Sequence, residues 1–117
     1  MRAWVILLLL IPGPWLAAEE SSGRQVDFGL KVAQKGLWQE ARFRFERAVA
    51  LEPANTAALN DLAVSLEQMG EFAEARKAYE KALELKPGDI YIQQNYDLFR
   101  EADDKRNRKS RKKKAQP

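Results

Sequence analysis

The stretch GEFAEARKAYEKALELKP, at residues 70–87, repeats a pattern that the chain carries once before, as GLWQEARFRFERAVALEP at residues 36–53. Eight positions are identical in the two copies, Phe45 and Tyr79 form a ninth matched pair, and the members of each pair are 34 residues apart. A fixed period of about 20–50 residues is the sequence signature of a solenoid, in which each unit buries its apolar face against the next. We therefore predict an all-α solenoid of helix-turn-helix units.

Apolar residues within each copy recur at spacings of three and four, which places them on one side of an α-helix. We predict that Gly36 and Gly70 each turn one helix into the next, and that Pro53 and Pro87 end the second helix of each pair. Arg42/Glu46, Glu40/Arg44 and Arg76/Glu80 are predicted to face outward as charged neighbours one turn apart. The predicted inward-facing residues are Trp38, Ala41, Phe45, Ala48, Val49 and Leu51 in the first copy, and Phe72, Ala75, Tyr79, Ala82 and Leu85 in the second.

Three further helices are predicted around these two. The first spans about residues 23–35, begins with a capping box of Ser22 and Gln25, and turns Phe28 and Val32 inward. The third, over about residues 56–69, follows Asn55 as its N-cap, and the fifth follows Asp89 and begins at Ile90. Their predicted inward-facing residues are Leu59, Leu62, Ala63 and Leu66 in the third helix, and Ile92, Tyr96 and Phe99 in the fifth.

The composition argues against catalysis. Cysteine and histidine are absent, which removes disulfides, thiolate and imidazole metal sites, and catalysis by either residue. Ser65 therefore has no histidine to activate it, and the chain has no glycine-rich phosphate loop. The carboxylates lie among Lys and Arg on predicted helix exteriors. We predict a protein that is not an enzyme and that uses no cofactor or metal.

The charge is divided unevenly along the chain. Residues 19–104 hold 11 basic and 17 acidic residues, whereas eight of the ten residues at 105–114 are basic and none is acidic. We predict a disordered basic tail over residues 105–117, which either binds an anionic membrane surface or envelope polymer, keeps the protein soluble, or folds back on the acidic body. No aromatic residue is interleaved to stack on a base, so specific nucleic-acid binding is not expected. The candidate polyanion-binding residues are Lys105, Arg106, Arg108, Lys109, Arg111, Lys112, Lys113 and Lys114.

Residues 1–18 have the pattern of an export signal. Arg2 precedes a short apolar run at residues 5–11, Pro12 and Pro14 interrupt it, and Ala17 and Ala18 provide small residues for cleavage. The run is shorter than the roughly 20 residues that span a bilayer. The segment predicts an exported protein, periplasmic or secreted, and the alternative is an uncleaved N-terminal membrane anchor.

The repeated pattern resembles the tetratricopeptide repeat. In that family small residues let paired helices approach, an aromatic fills the gap between units, and a proline ends the second helix; Gly36, Ala41, Phe45, Ala48 and Pro53 match these places, as do their counterparts 34 residues later. The resemblance implies two repeats, at residues 22–55 and 56–89, followed by a capping helix at 90–104. The departures from the pattern are changes of side-chain volume at Gln25, Val32, Ala63 and Leu66.

The resemblance also implies an adaptor that holds a partner segment in a concave groove. A family subtype clamps a carboxylate there with basic residues, but the matching positions here hold Val26, Leu30, Asp61 and Val64, so that clamp is absent. Asn60 and Asn95 either bond a peptide backbone or are solvated, and Tyr91 and Leu98 either dock a partner or second copy, as in a homodimer, or cover the groove end. Carried over by position, the groove residues are Val26, Asp27, Leu30, Gln34, Asn60, Asp61, Val64, Glu67, Gln68, Tyr91, Gln94, Asn95 and Leu98.

Overall fold

A computed structural model describes residues 20–117, and these residues form five α-helices. The helices are α1 (Ser22–Gln34), α2 (Trp38–Leu51), α3 (Thr56–Gln68), α4 (Phe72–Leu85) and α5 (Ile90–Ala115). α1 packs on α2 and α3 on α4, while α2 also contacts α3, and α4 contacts α5. The predicted all-α architecture of two helix pairs and a terminal helix is confirmed for these residues. The predicted export signal at residues 1–18 lies outside them.

The turn within each helix pair is the same in both units. Gly36 and Gly70 have φ angles of 76° and 77°, a left-handed conformation that glycine adopts without a side-chain clash. The next amide in each case, that of Leu37 or Glu71, donates back to the carbonyl of Val32 or Leu66 at 3.1 and 2.8 Å. This pattern satisfies backbone carbonyls at the helix end, so the two glycines act as predicted.

Two of the three predicted N-caps are confirmed. The Asn55 and Asp89 side chains accept hydrogen bonds from the amides of Ala58 and Ile92. The predicted capping box is wrong, because Ser21 is the N-cap of α1 and accepts from the Arg24 amide. Ser22 lies one residue inside the helix, where its buried hydroxyl donates to the Ala48 carbonyl at 2.8 Å. Ser22 thus ties α1 to the end of α2.

The core alternates very small residues with large aromatic ones. Ala41, Ala48, Ala75 and Ala82 are fully buried, and Phe45, Tyr79 and Phe99 are the largest side chains among the buried residues. The small residues let the paired helices approach, and the aromatic rings fill the space between units. Five predicted inward residues are only half-buried, namely Trp38, Val49, Leu62, Phe72 and Tyr96. The prediction is wrong for Phe28, Leu51 and Leu85, which are exposed because they lie at the solenoid end or in the last turn of a helix.

The 34-residue register shows that the outer side of α1 differs from that of the later first helices. Ala58, Leu62 and Ser65 of α3 lie on the side of that helix that faces the first unit, where Leu62 packs near Phe45. The equivalent residues of α5 are Ile92, Tyr96 and Phe99, which pack on the second unit. In α1 the equivalent residues are Arg24, Phe28 and Lys31, and all three are exposed. The two cationic residues, Arg24 and Lys31, give the first unit a solvated outer side, as terminal repeats require.

The same register explains why the solenoid stops at α5. Gln25, Gly29 and Val32 of α1 face α2 and are buried, as are their equivalents in α3. The equivalents in α5 are Gln93, Asp97 and Arg100, and these are exposed and polar. No apolar stripe is left on α5 for a further partner helix of the same repeat. The terminal helix therefore caps the second unit.

The prediction that the terminal helix frays after Asp104 is wrong, because α5 continues to Ala115. Lys and Arg favour helix, and basic residues in a last turn complement the negative end of the helix dipole. Lys105 pairs with Glu101 at 3.2 Å and Arg106 with Asp103 at 3.2 Å, which links the basic stretch to the turn before it. The tail is thus a helical extension of the capping helix and does not fold back on the body.

Candidate functional site

The predicted groove residues lie on α1, α3 and α5, the first helices of successive units. Most of them occupy equivalent positions in the 34-residue register and form rows that run across the three helices, such as the row of Asp27, Asp61 and Asn95 and that of Leu30, Val64 and Leu98. The residues that are exposed are Asp27, Leu30, Gln34, Gln68, Tyr91, Gln94 and Leu98, and those that are half-buried are Val26, Asn60, Asp61, Val64, Glu67 and Asn95. The face is accessible along its whole length.

The centre of this face is a chain of polar side chains that joins α5 to α3. The Asn95 side-chain amide donates to Asn60 Oδ1 at 3.1 Å, and the Asn60 amide donates to Asp61 Oδ1 at 3.4 Å. Each amide group has two N–H donors and two acceptor lone pairs, so these contacts use only part of its capacity. The structure brings Asn60, Asp61 and Asn95 together; Gln34 and Gln68 lie in the last turns of α1 and α3.

Asp61 has an unusual environment for a surface carboxylate. Partial burial raises its pKa above the ordinary aspartate value, and the hydrogen bond from Asn60 opposes that rise. Burial disfavours the charged form because the surrounding protein solvates it less well than water does. The middle of this face therefore holds an incompletely solvated negative charge.

Glu67 supports the core beneath the groove. Its carboxylate accepts a hydrogen bond from the Tyr79 hydroxyl at 3.1 Å. Burial raises the pKa of Tyr79 well above the ordinary tyrosine value, and the nearby Glu67 charge raises it further. The phenol therefore stays neutral, and it fixes the Glu67 side chain against α4.

Aliphatic side chains run parallel to the polar row. Leu30, Val64 and Leu98 are separated by 34 residues each, and we call them the aliphatic row. Leu30 is 42% exposed, Val64 is half-buried and Leu98 is 67% exposed. Tyr91 lies two turns before Leu98 on α5 and is 82% exposed. Residues of this kind raise the affinity of a surface for other molecules because they lose contact with water on binding.

An open apolar cavity lies outside the predicted groove, at the turn between α1 and α2. It has a volume of about 680 Å³ and is lined by Leu37, Trp38, Phe43 and Met69, among others. Phe43 is 57% exposed. This cavity was not predicted from the sequence, although Phe43, an aromatic residue at an outward position of α2, was a signal that could have indicated it.

The basic end of α5 is attached to α4 by a compact cluster. Asp103 accepts from Arg76 at 2.9 Å and from Arg106 at 3.2 Å. These two hydrogen bonds lower the pKa of Asp103 below the ordinary aspartate value, with the Arg76 bond as the largest cause. The Arg106 guanidinium also lies 3.5 Å from the centre of the Phe72 ring. Arg76 therefore pairs with Asp103 and not with Glu80 as predicted, while Glu80 accepts from the Tyr96 hydroxyl.

The basic residues beyond this cluster are solvated. Arg108, Lys109, Arg111, Lys112, Lys113 and Lys114 are all exposed, and within residues 20–117 none of them pairs with a carboxylate. The predicted tail residues thus divide into two anchored at the base, Lys105 and Arg106, and six that project into solvent.

Comparison with known protein families identifies the architecture independently. The profile of the tetratricopeptide repeat matches residues 33–94, just over half of the chain. The chain belongs to the tetratricopeptide repeat family. This confirms the resemblance drawn from the repeated stretch. A search of curated proteins found no match.

Tetratricopeptide repeats are protein-interaction modules, and the family is typically a non-enzymatic scaffold. This tetratricopeptide repeat protein has no helix within residues 20–117 that is long and apolar enough to cross a membrane. Over the same residues, no group of three or more acidic side chains is placed to hold a metal ion.

Proposed function

We propose that the protein is a non-enzymatic adaptor that holds a segment of a partner protein in the concave groove of its two repeats. The observation that carries the proposal is the face of α1, α3 and α5, where the hydrogen-bonded amides of Asn60 and Asn95 lie beside the partly exposed aliphatic row. Polar groups that position a peptide backbone next to apolar groups that take up side chains are what a peptide site needs. Membership of the tetratricopeptide repeat family supports a general role in binding other proteins.

The adaptor role is tested with two variants, Leu98→Glu and Phe43→Glu, each of which replaces an exposed apolar side chain by a charged one. Leu98→Glu places a charge in the groove, whereas Phe43→Glu places one at the α1–α2 cavity. Each full-length variant is used to capture proteins from its native source, and the captured proteins are quantified by mass spectrometry. We expect a partner that is retained by the Phe43→Glu chain and reduced at least about tenfold by Leu98→Glu, the effect of about 1.4 kcal/mol of lost binding.

Equal capture by the two variants would contradict binding in the groove. Thermal melting of both variants keeps the comparison valid, since each residue is exposed and neither change should unfold the chain. Sedimentation of the full chain reports whether a second copy covers Tyr91 and Leu98, the homodimer alternative.

A second candidate is an electrostatic tether, and the exposed basic end of α5 favours it. Six cations on the last two turns of a helix would bind an anionic lipid surface or envelope polymer. Removing residues 108–117 leaves the Arg106 contact to Phe72 intact while it removes these cations. We expect the full chain, but not the shortened one, to sediment with vesicles that contain anionic lipid, and to be released by salt. Equal binding by the two chains would exclude the tether.

We also propose that the protein is exported, through the signal-like residues 1–18, to the periplasm or the extracellular medium. Cleavage after Ala18 would leave Glu19 as the first residue, while an uncleaved segment would anchor the protein to a membrane. Mass spectrometry of the N-terminus from fractionated cells separates these outcomes. An intact Met1 on a soluble cytoplasmic protein would contradict export.

A further inference from the structure

The basic end of α5 projects beyond the helix on which α5 packs. The ring centres of Phe99 and Tyr79 lie 5.5 Å apart, and the Arg106 guanidinium lies 3.5 Å from the ring centre of Phe72, the first residue of α4. The two helices are therefore antiparallel, and α4 has no residue left to contact α5 beyond Arg106. Residues 107–115 are all exposed. This part of the helix is accessible from every side.

The six cations of the projecting end are spread around its whole circumference. An α-helix turns by about 100° per residue, so four of the six fall within about 140°, two lie opposite them, and no gap between neighbouring cations exceeds about 100°. We call the four the front set and the two the back pair. The front set is Arg108, Lys109, Lys112 and Lys113, and the back pair is Arg111 and Lys114.

A flat anionic bilayer meets only one side of such a helix. At most four of the six cations then face the lipid, while the back pair lies farther away by about the helix diameter of 10–12 Å. The Debye length at physiological salt is about 8 Å, so the charges of the back pair are largely screened from the surface. Residues 105–114 also hold no apolar side chain, which a helix needs to enter the lipid interface.

A flexible polyanion is able to contact all six cations. They span about 9 Å of helix axis at 1.5 Å per residue. One straight strand with the phosphate spacing of a nucleic acid duplex, about 3.4 Å, would bring only about three charges to this length. The groove of a rigid duplex flanks an inserted helix with phosphates on two sides only. A polymer that folds around the helix brings phosphates to every side and releases more counterions.

The rest of the chain confines such a polymer to the end of α5. Residues 19–104 hold 17 acidic and 11 basic residues, so this part of the chain repels a polyanion. Asp103 accepts from Arg76 and from Arg106, which holds the base of the projecting end against α4. The cations are therefore presented on a fixed helix, away from the groove of the repeats.

We propose that the projecting end of α5 binds a flexible phosphate polymer that surrounds it, in preference to a flat anionic bilayer or a rigid nucleic acid duplex, a refinement that rests on the tether described above. The guanidinium groups of Arg108 and Arg111 suit phosphate, because each can donate two parallel N–H bonds to it.

Three probes with the same anionic group separate the three geometries. They are linear polyphosphate, vesicles of equal parts phosphatidylcholine and phosphatidylglycerol, and duplex DNA, each titrated against the full chain at physiological salt. We expect polyphosphate to bind at least about tenfold more tightly per phosphate than the other two. The chain without residues 108–117 measures the binding that any other part of the protein contributes, and it should not bind polyphosphate.

Two matched double variants test whether the ligand surrounds the helix. Arg108→Gln with Lys112→Gln removes two cations of the front set, and Arg111→Gln with Lys114→Gln removes the back pair. We expect each to weaken polyphosphate binding by at least about tenfold. Each should also reduce the slope of log affinity against log salt by about 1.4. Vesicle binding should be weakened by the front variant and unchanged by the back variant. Circular dichroism checks that both variants keep the helix.

The tether and its refinement fail in different ways. Polyphosphate binding that only the front variant weakens would show contact on one side and overturn the refinement. Tighter binding of the vesicles or of duplex DNA per phosphate would also overturn it. In both cases the tether stands if removal of residues 108–117 abolishes the binding. If the shortened chain binds all three probes like the full chain, both are wrong.

Discussion

Gly29 and Phe45 show how closely α1 and α2 approach. A Cβ atom added to Gly29 would lie 2.5 Å from Phe45 Cε1, and the Phe45 ring is itself fully buried. We expect Gly29→Ala to lower the free energy of unfolding by about 1–3 kcal/mol, because the ring has no space into which it can move. Chemical denaturation measures the change.

Gly23 in the first turn of α1 is the matched control. A Cβ atom there meets nothing within 4 Å. Gly23→Ala should therefore stabilise the protein by about 0.5–1 kcal/mol through helix propensity alone. Similar changes in stability for the two substitutions would show that the contact with Phe45 does not decide the effect.

Tyr79 joins the second repeat to the capping helix. Its ring centre lies 5.9 Å from that of Tyr96 and 5.5 Å from that of Phe99, and its hydroxyl bonds Glu67. Tyr79→Ala should cost about 3–5 kcal/mol because it leaves a cavity among these rings. Tyr79→Phe keeps the ring and should cost about 1–2 kcal/mol for the lost hydrogen bond. Equal losses in the two melts would mean that ring packing contributes little.

Asp61 should lower the stability of the fold at neutral pH. Its pKa is raised in the native state by burial, so the native state binds more protons than the unfolded state at pH values around the unfolded pKa and somewhat above it. Stability should therefore fall as pH rises through this range, and Asp61→Asn should remove that fall and raise stability by up to about 1 kcal/mol. Melting temperatures from pH 4 to 7 test this. A lower melting temperature for the variant at pH 7 would contradict it.

At the scale of the element, α5 depends on Asp103 to hold its basic half against α4. The Asp103 side chain is 13% exposed and bonds both Arg76 and Arg106. Asp103→Asn should cost about 1 kcal/mol after allowance for the exposed partners, and hydrogen exchange should accelerate from about residue 103 onward. Asp104→Asn, at an exposed neighbouring position, is the control and should leave both measurements unchanged.

The pH dependence of this contact follows from the direction of the Asp103 pKa shift. Because the arginines lower the pKa of Asp103, the contact contributes fully above the unfolded pKa of about 3.9 and is lost as pH falls through the lower native value. Acid titration of the unmodified chain should therefore loosen α5 in a step that Asp103→Asn lacks. Identical titrations would show that the ion pairs do not hold the helix.

Helix ends that rest on local backbone chemistry could be predicted from the sequence, since Gly36, Gly70, Asn55 and Asp89 act through neighbouring groups. The prediction of a capping box was wrong because the Ser22 hydroxyl donates to the carbonyl of Ala48, a residue distant in the sequence. The prediction of where α5 ends was wrong for a similar reason. We expected fraying after the last apolar residue, but Asp103 receives support from Arg76 on another helix. Periodicity within one helix does not reveal such contacts.

At the scale of the whole molecule, the charge is divided between the body and the end of α5. The full chain has a formal charge of +3. Removing residues 108–117 removes six cations and no carboxylate side chain, which makes the remainder acidic. We expect the full chain to be retained on a cation exchanger at pH 7 and the shortened one on an anion exchanger. Their melting temperatures should agree closely, because the removed residues are exposed. A large drop on shortening would indicate a packing role for the tail.

The repeat count and the order of helices were predictable because the 34-residue period is visible in the sequence. The placement of Asn60 and Asn95 on the first helices of successive units was predictable, because the register fixes which helix each residue belongs to. The hydrogen bond between them was not predictable, because it joins side chains of two helices that are 35 residues apart in the sequence. The cavity beside Phe43 likewise requires Met69 of the other unit, and no local pattern connects the two residues.

The continuity of α5 has a mechanical consequence. The same rod carries Leu98 at the groove and Arg108 to Lys114 at its far end, and at about 1.5 Å per residue the two lie some 15–24 Å apart with no hinge between them. A disordered tail would connect the two sites flexibly and would not fix the orientation of a bound partner. A continuous helix would fix the orientation of a partner bound at Leu98 relative to a surface bound by the cations. It would also transmit force between these two sites.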